Sequence, residues 1–226
     1  MPRTFFLVST LALAAPVVAS ERQFQVGAFE AIRAAGPHRV EVTTGSAPSV
    51  VATGDQAVLD RLDIRVERGA LVIGQRRGMP ALGRAQPATI RVTTQRLTEV
   101  SVAGSGDMRV SRVTGPSFTG NLAGSGNLEL ASIASDSLTF SVAGSGDARG
   151  SGRCGTARYS VSGSGNIRAG NIACKSLTVA INGSGNVDGQ ASGPATVAIN
   201  GSGNARITGG AQCTQAVRGS GRVTCS

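Results

Sequence analysis

One tetrapeptide recurs through the second half of this chain. Gly-Ser-Gly followed by Asp, Asn or Arg begins at Gly104, Gly124, Gly144, Gly163, Gly183, Gly201 and Gly219, at intervals of 18 to 20 residues. A near-constant period of that size marks stacked units, none of which can bury a face alone. With the first glycine as origin, the residues two before it are Val102, Leu122, Val142, Val161, Ile181, Ile199 and Val217, all aliphatic. Those four before it, among them Val100, Phe140, Tyr159, Val179 and Val197, are mostly apolar, and small residues stand between. This period-two alternation is that of a strand with one buried face. Four residues after the origin every unit is apolar again, from Met108 and Leu128 to Val223, and the next position is almost always charged. Each unit therefore reads as strand, Gly-Ser-Gly corner and second strand, with Val113, Ile133 and Ile172 hinting at a short third side. The expected fold is all-β, a right-handed parallel β-solenoid (β-helix) with coils of ~20 residues stacked ~4.8 Å apart.

The composition fits a solenoid. Glycine is 32 of 226 residues, Trp is absent and aromatics are 3%. A compact core leans on aromatics for buried area, whereas stacked coils can fill themselves with Val, Ile, Leu and Ala. The formal charge is +9, nearly all from arginine, with Lys175 the single lysine. It divides as +1, +3 and +5 over residues 1–20, 21–100 and 101–226. No dense basic run and no interleaved aromatics are present, so nucleic acid is not an expected partner.

Met1 to Ser20 reads as a secretory signal peptide: a basic start at Arg3, an apolar run from Phe5 to Ala15, and the small-residue site Val17-Val18-Ala19. The run is too short for a membrane span and no later stretch suits one, so no transmembrane segment is expected. The mature chain is expected to be exported, to the periplasm or the cell surface. In that setting four cysteines favour two disulfides. Cys154 and Cys174 each stand nine residues before a corner, which stacks them on adjacent coils, and Cys213 and Cys225 flank Gly219 six residues to either side. A four-cysteine metal site is disfavoured because no C-x₂-C pair occurs.

Residues 21–100 are less regular and read as irregular N-terminal coils capping the regular repeats of 101–226, with a separate small domain as the alternative. Val40–Thr44, Val50–Thr53, Leu62–Val66, Ala70–Ile73 and Thr89–Thr93 read as strands. Asp55–Leu59 reads as a capped helical turn and Gly74–Pro87 as a loop.

The segment Val179-Ala180-Ile181-Asn182-Gly183-Ser184-Gly185-Asn186, repeated at Val197 to Asn204, resembles the bacterial head GIN domain, a family described as an autotransporter adhesin head. Phe29-Glu30-Ala31-Ile32, Val40-Glu41-Val42, Gly54-Asp55 and Gly69-Ala70-Leu71-Val72-Ile73 resemble its entry segment. The resemblance spans nearly the whole mature chain. It implies a β-solenoid and an exported protein, and it carries no catalytic residue or ligand.

The corners lack the Gly-Lys-Ser/Thr of a phosphate loop. Calcium-binding rolls need a nine-residue period and an acid in every turn, and here only Asp107 and Asp147 are acidic among the corner residues. No cofactor is expected. Asp107 and Asp147 share a register two coils apart, ~10 Å, just outside the usual range of paired glycosidase carboxylates; a carbohydrate-active enzyme on this scaffold is the alternative reading. The lone His38 finds no triad partners and reads as a surface or strand-edge residue. What remains is a face. Arg109, Arg149, Arg168 and Arg206, with Asn182 and Asn200, form the candidate binding face, suited to an envelope or host polysaccharide or protein surface. The expected function is a non-enzymatic, adhesin-like binding or structural module, or else a periplasmic structural or signalling partner.

Overall fold

The computed structural model describes residues 20–76, 78 and 86–226. The expected signal peptide lies outside the described residues except for Ser20, as does most of the Gly74–Pro87 loop. In chain order the N-terminal elements are β1 (Ser20–Phe24), β2 (Ala31–Ala35), β3 (Arg39–Thr44), β4 (Ser49–Gly54), α1 (Gln56–Leu59), β5 (Leu62–Glu67), β6 (Ala70–Gln75) and β7 (Thr89–Thr94). There follow β8 (Glu99–Gly104), β9 (Met108–Val110), β10 (Val113–Gly124), β11 (Asn127–Gly144), β12 (Asp147–Gly163) and β13 (Asn166–Gly183). The last coils comprise β14 (Asn186–Ala191), β15 (Pro194–Gly201), β16 (Asn204–Thr208), β17 (Gln212–Arg218) and β18 (Arg222–Cys225).

From β8 onward every pairing is parallel and each strand lies on the one a coil earlier, with corner glycine opposite corner glycine: Gly104, Gly124, Gly144, Gly163, Gly183 and Gly201 form one line. The fold is a β-solenoid. Strands β11 to β13 run on after a register irregularity, so Val113, Ile133, Gly152 and Ile172 stack as the third side. The inward columns form one continuous apolar core, from Phe29 to Ile207. Large residues sit against absent side chains. A Cβ on Gly120 would lie 2.9 Å from the Phe140 ring, and one on Gly189 2.6 Å from Leu177. Neighbouring coils thus interdigitate, side chain into the space left by glycine.

The corner explains its own sequence. At the third repeat, the amides of Ser145 and Gly146 both donate to the carbonyl of Gly124, at 2.9 and 3.0 Å. That carbonyl points along the axis into the hollow of the next corner. A Cβ on Gly144, which has φ +123°, would come 2.4 Å from it, and one on Gly146 would come 2.1 Å from the carbonyl of Gly126. The first glycine therefore serves backbone conformation and space, the second space alone.

The N-terminal region holds a coil that the repeat search misses. β2 lies on β8 and β3 on β9. The amide of Gly106 donates to the Gly36 carbonyl at 2.9 Å, so Gly36-Pro37-His38 is a corner without the tetrapeptide. Beneath it, β6 and β7 pair in parallel with β2 and β3. The chain thus lays down β2–β3, leaves to form the end of the solenoid, returns as β6–β7, and steps over β2–β3 to begin β8. Antiparallel strands close the end. β5 covers β6, joined by the two-residue turn Arg68-Gly69 with φ 50° and 75°, and β4 covers β7 and is itself flanked by β1. Such turns match the twist of a hairpin. The sheet edges thereby move outward to β5 and β1, each paired with one strand among the described residues. α1 begins where expected, but the Asp55 carboxylate makes no capping bond.

His38 corrects an expectation. It is buried rather than at the surface, 5% exposed. Its Nδ1 accepts the Ala88 amide at 3.2 Å, and the Gln75 amide lies 3.3 Å from Nε2.

Candidate functional site

The corner fixes which side chains face outward, and the parallel register draws them into columns. Directly after the corner, Arg39, Asp107, Asn127, Asp147, Asn166, Asn186, Asn204 and Arg222 occupy equivalent positions. Their amides form a ladder. Asn127 Nδ2 donates to Asp107 at 2.7 Å, Asn166 to Asp147 at 2.8 Å, Asn186 to Asn166 at 2.9 Å and Asn204 to Asn186 at 3.0 Å. In several steps the same oxygen also accepts the backbone amide, as Asn166 Oδ1 does from Asn186. From Asn166 to Asn204 identical amides stack at the ~4.8 Å coil spacing, the device known from cross-β structures.

Two residues further on, a column of charge runs the length of the solenoid: Arg91, Glu41, Arg109, Glu129, Arg149, Arg168, Asp188 and Arg206. Glu129 is clasped from both sides, by Arg149 at 2.7 Å and Arg109 at 3.6 Å. Arg91 reaches Glu41 at 3.6 Å, and Arg168 reaches sideways to Asp147 at 3.0 Å. These exposed pairs are worth only up to about 1 kcal/mol each. Arg109 and Arg149 are thus brought together, lining with Asp107 and Glu129 an open groove of about 350 Å³. Arg168 and Arg206 line a second groove further along, with Asp188 between them. Asn182 and Asn200 are bonded to each other at 3.2 Å, on a separate column before the corner. Asp107 and Asp147 are not brought together: Asn127 stands between them, and each carboxylate accepts from a neighbouring asparagine.

Sequence reasoning did not find Glu41 and Arg91, which extend the charge column beyond the tetrapeptides. A signal was present. Ile32, Ala34, Val40 and Val42 stand around Gly36 at the same offsets as the inward residues of every later coil.

The cysteines form two disulfides, Cys154–Cys174 between adjacent coils and Cys213–Cys225 across the last one. Among the described residues no cluster of His, Cys, Asp and Glu suits a metal ion, and no helix is long and apolar enough to cross a membrane.

A parallel solenoid with an antiparallel N-terminal cap and outward polar columns defines a scaffold that displays surfaces. Residues 28–211 match the family described as "Putative auto-transporter adhesin, head GIN domain", and the chain belongs to that family. Its fold is shared by a "putative adhesin" of Bacteroides fragilis NCTC 9343, with 20% identity and a TM-score of 0.88 over 93% of this chain and 98% of that one. A "putative lipid binding protein" of Parabacteroides distasonis ATCC 8503 is similar at 24% identity and TM-score 0.74, covering 93% and 98% of the two chains. A "putative adhesin" of Parabacteroides merdae ATCC 43184 is similar at 21% and 0.74, covering 93% and 97%. No curated protein matches the sequence.

Proposed function

We infer that this chain is an exported, non-enzymatic, adhesin-like module that meets acidic polymers of an envelope or host surface with its C-terminal coils. One observation carries the reading. Residues 150–226 hold seven Lys and Arg and a single acid, Asp188. Of these cations Arg168 reaches Asp147, while Arg153, Arg158, Lys175, Arg206, Arg218 and Arg222 have no ion pair among the described residues. In the earlier coils arginines and acids pair along the column. Uncompensated charge spread over a rigid surface attracts polyanions in a salt-dependent way. The adhesin family and the disulfides agree with export and with a binding role.

Retention of the mature chain on immobilised acidic and neutral polysaccharides, eluted with salt, tests this. Retention on the acidic matrix alone, lost on raising the salt and weakened by R206Q/R218Q/R222Q, is expected. Equal retention on the neutral matrix would overturn the reading. Antibody labelling of intact and permeabilised cells separates display at the surface from a periplasmic role.

A further inference from the structure

The step by which the chain passes over the β2–β3 coil builds a cleft at the opposite end of the molecule. β6, β2 and β8 lie side by side there, with Ala70, Ala31 and Glu99 in register. The segments entering these strands are tied to one another. The Glu30 amide donates to the Gly69 carbonyl at 3.1 Å, the Thr98 amide and hydroxyl donate to the Glu30 carbonyl at 2.8 and 3.0 Å, and the buried Thr94 hydroxyl donates to the Phe29 carbonyl at 2.8 Å. The cavity they wall has a volume of about 490 Å³, within the range of small-ligand sites.

Three arginines line it: Arg33 from β2, Arg68 from the β5–β6 turn, and Arg96 from the step, whose guanidinium lies beside Gly115 of β10. None has an ion pair or a side-chain hydrogen bond among the described residues. Glu30 and Glu99 line the same cavity, and their carboxylates are equally uncommitted among the described residues. This differs from the charge column, where opposite charges meet. Here their anchoring on separate strands and turns holds them apart, and alanines 28, 31 and 70 lie among them.

We propose that this cleft binds a carboxylate-bearing sugar residue. An arginine fork matches a carboxylate in two-point fashion. The two glutamates can only accept hydrogen bonds when ionised, which suits sugar hydroxyls. The alanine methyl groups suit the C–H face of a pyranose. Three cations against two anions favour a monoanion. A neutral sugar leaves the arginines unmatched, and a phosphate dianion meets repulsion from the glutamates. The site is independent of the C-terminal cations, so either proposal can fail alone.

Calorimetric titration of the mature chain with glucuronate, galacturonate and N-acetylneuraminate, beside methyl glucoside and inorganic phosphate, tests it. Saturable binding of at least one acidic sugar is expected, weakened on the order of tenfold or more by R33Q/R96Q. R149Q/R168Q should leave that binding unchanged. Glu99→Gln should weaken the sugar and improve phosphate. Both double variants alter exposed side chains, and thermal unfolding followed by circular dichroism checks that they fold. Absence of binding by every acidic sugar, equal binding of methyl glucoside, tighter binding of phosphate, or an unchanged affinity in R33Q/R96Q would each overturn the cleft. Retention of the chain on acidic polymer through its C-terminal coils would stand in all four cases.

Discussion

Tyr159 lies in the core, stacked on Phe140 with ring centroids 5.7 Å apart, and its hydroxyl has no hydrogen-bond partner among the described residues. Burial pushes its ionisation well above the usual range. An unpaired buried hydroxyl costs stability, about 1–3 kcal/mol. Tyr159→Phe should therefore leave the unfolding free energy unchanged or raise it by about 1 kcal/mol, as read from urea denaturation. A loss above about 2 kcal/mol would mean that the hydroxyl is satisfied in solution. His38 gives a second prediction. Burial lowers its pKa below 6.5, and its Nδ1 must stay unprotonated to accept the Ala88 amide. The unfolded chain then binds the proton more readily. His38 thus contributes stability that is fully present above pH ~6.5 and is lost as pH falls through the lower folded value. In His38→Gln that part of the acid slope should vanish from denaturation curves taken between pH 7 and 5. At the corners, Gly146→Ala should cost about 3 kcal/mol or more, because the intruding methyl meets backbone that cannot retreat. Ser145→Ala, exposed at the same corner, should cost little.

At the scale of elements, the two disulfides differ by position. Cys154 and Cys174 are buried, 7% and 4% exposed, and staple coils with neighbours on both sides. Cys213 and Cys225 belong to the last coil, where β17 and β18 have one free edge and Val217 is 39% exposed. Access controls thiol exchange. Mild reductant followed by alkylation and mass mapping should label Cys213 and Cys225 first; prior labelling of the buried pair would contradict this. Hydrogen exchange should then accelerate over β17 and β18 with little change in β11 to β13, as local opening concentrates where contacts are fewest.

Over the whole molecule, folding differs between the two ends. From β8 onward each coil pairs with one 17 to 20 residues away, whereas β7 enters between β3 and β4 and β2 waits for β8 across 68 positions. Closing such separations is slow. A chain truncated to residues 96–226 would leave the lower edges of β8 and β9 unpaired. It should elute as higher-order species in size-exclusion chromatography while a chain of residues 20–226 does not; a well-behaved monomer would show that the cap is dispensable.

The sequence by itself determined the stacking. Period-two aliphatics around a recurring Gly-Ser-Gly admit one inward face, and a constant spacing places Arg109 beside Glu129 and Cys154 beside Cys174. Every residue there is read against a copy of itself, so local pattern and final neighbour coincide. Tertiary structure alone decided the N-terminal end. There the partners of a strand are chosen by an excursion and a return, and nothing near Arg33, Arg68 and Arg96 in the sequence says that they line one cleft. His38 makes the same point on a smaller scale. A histidine in the slot of a corner glycine is held by Ala88 and Gln75 of the level beneath it, contacts that no local pattern contains.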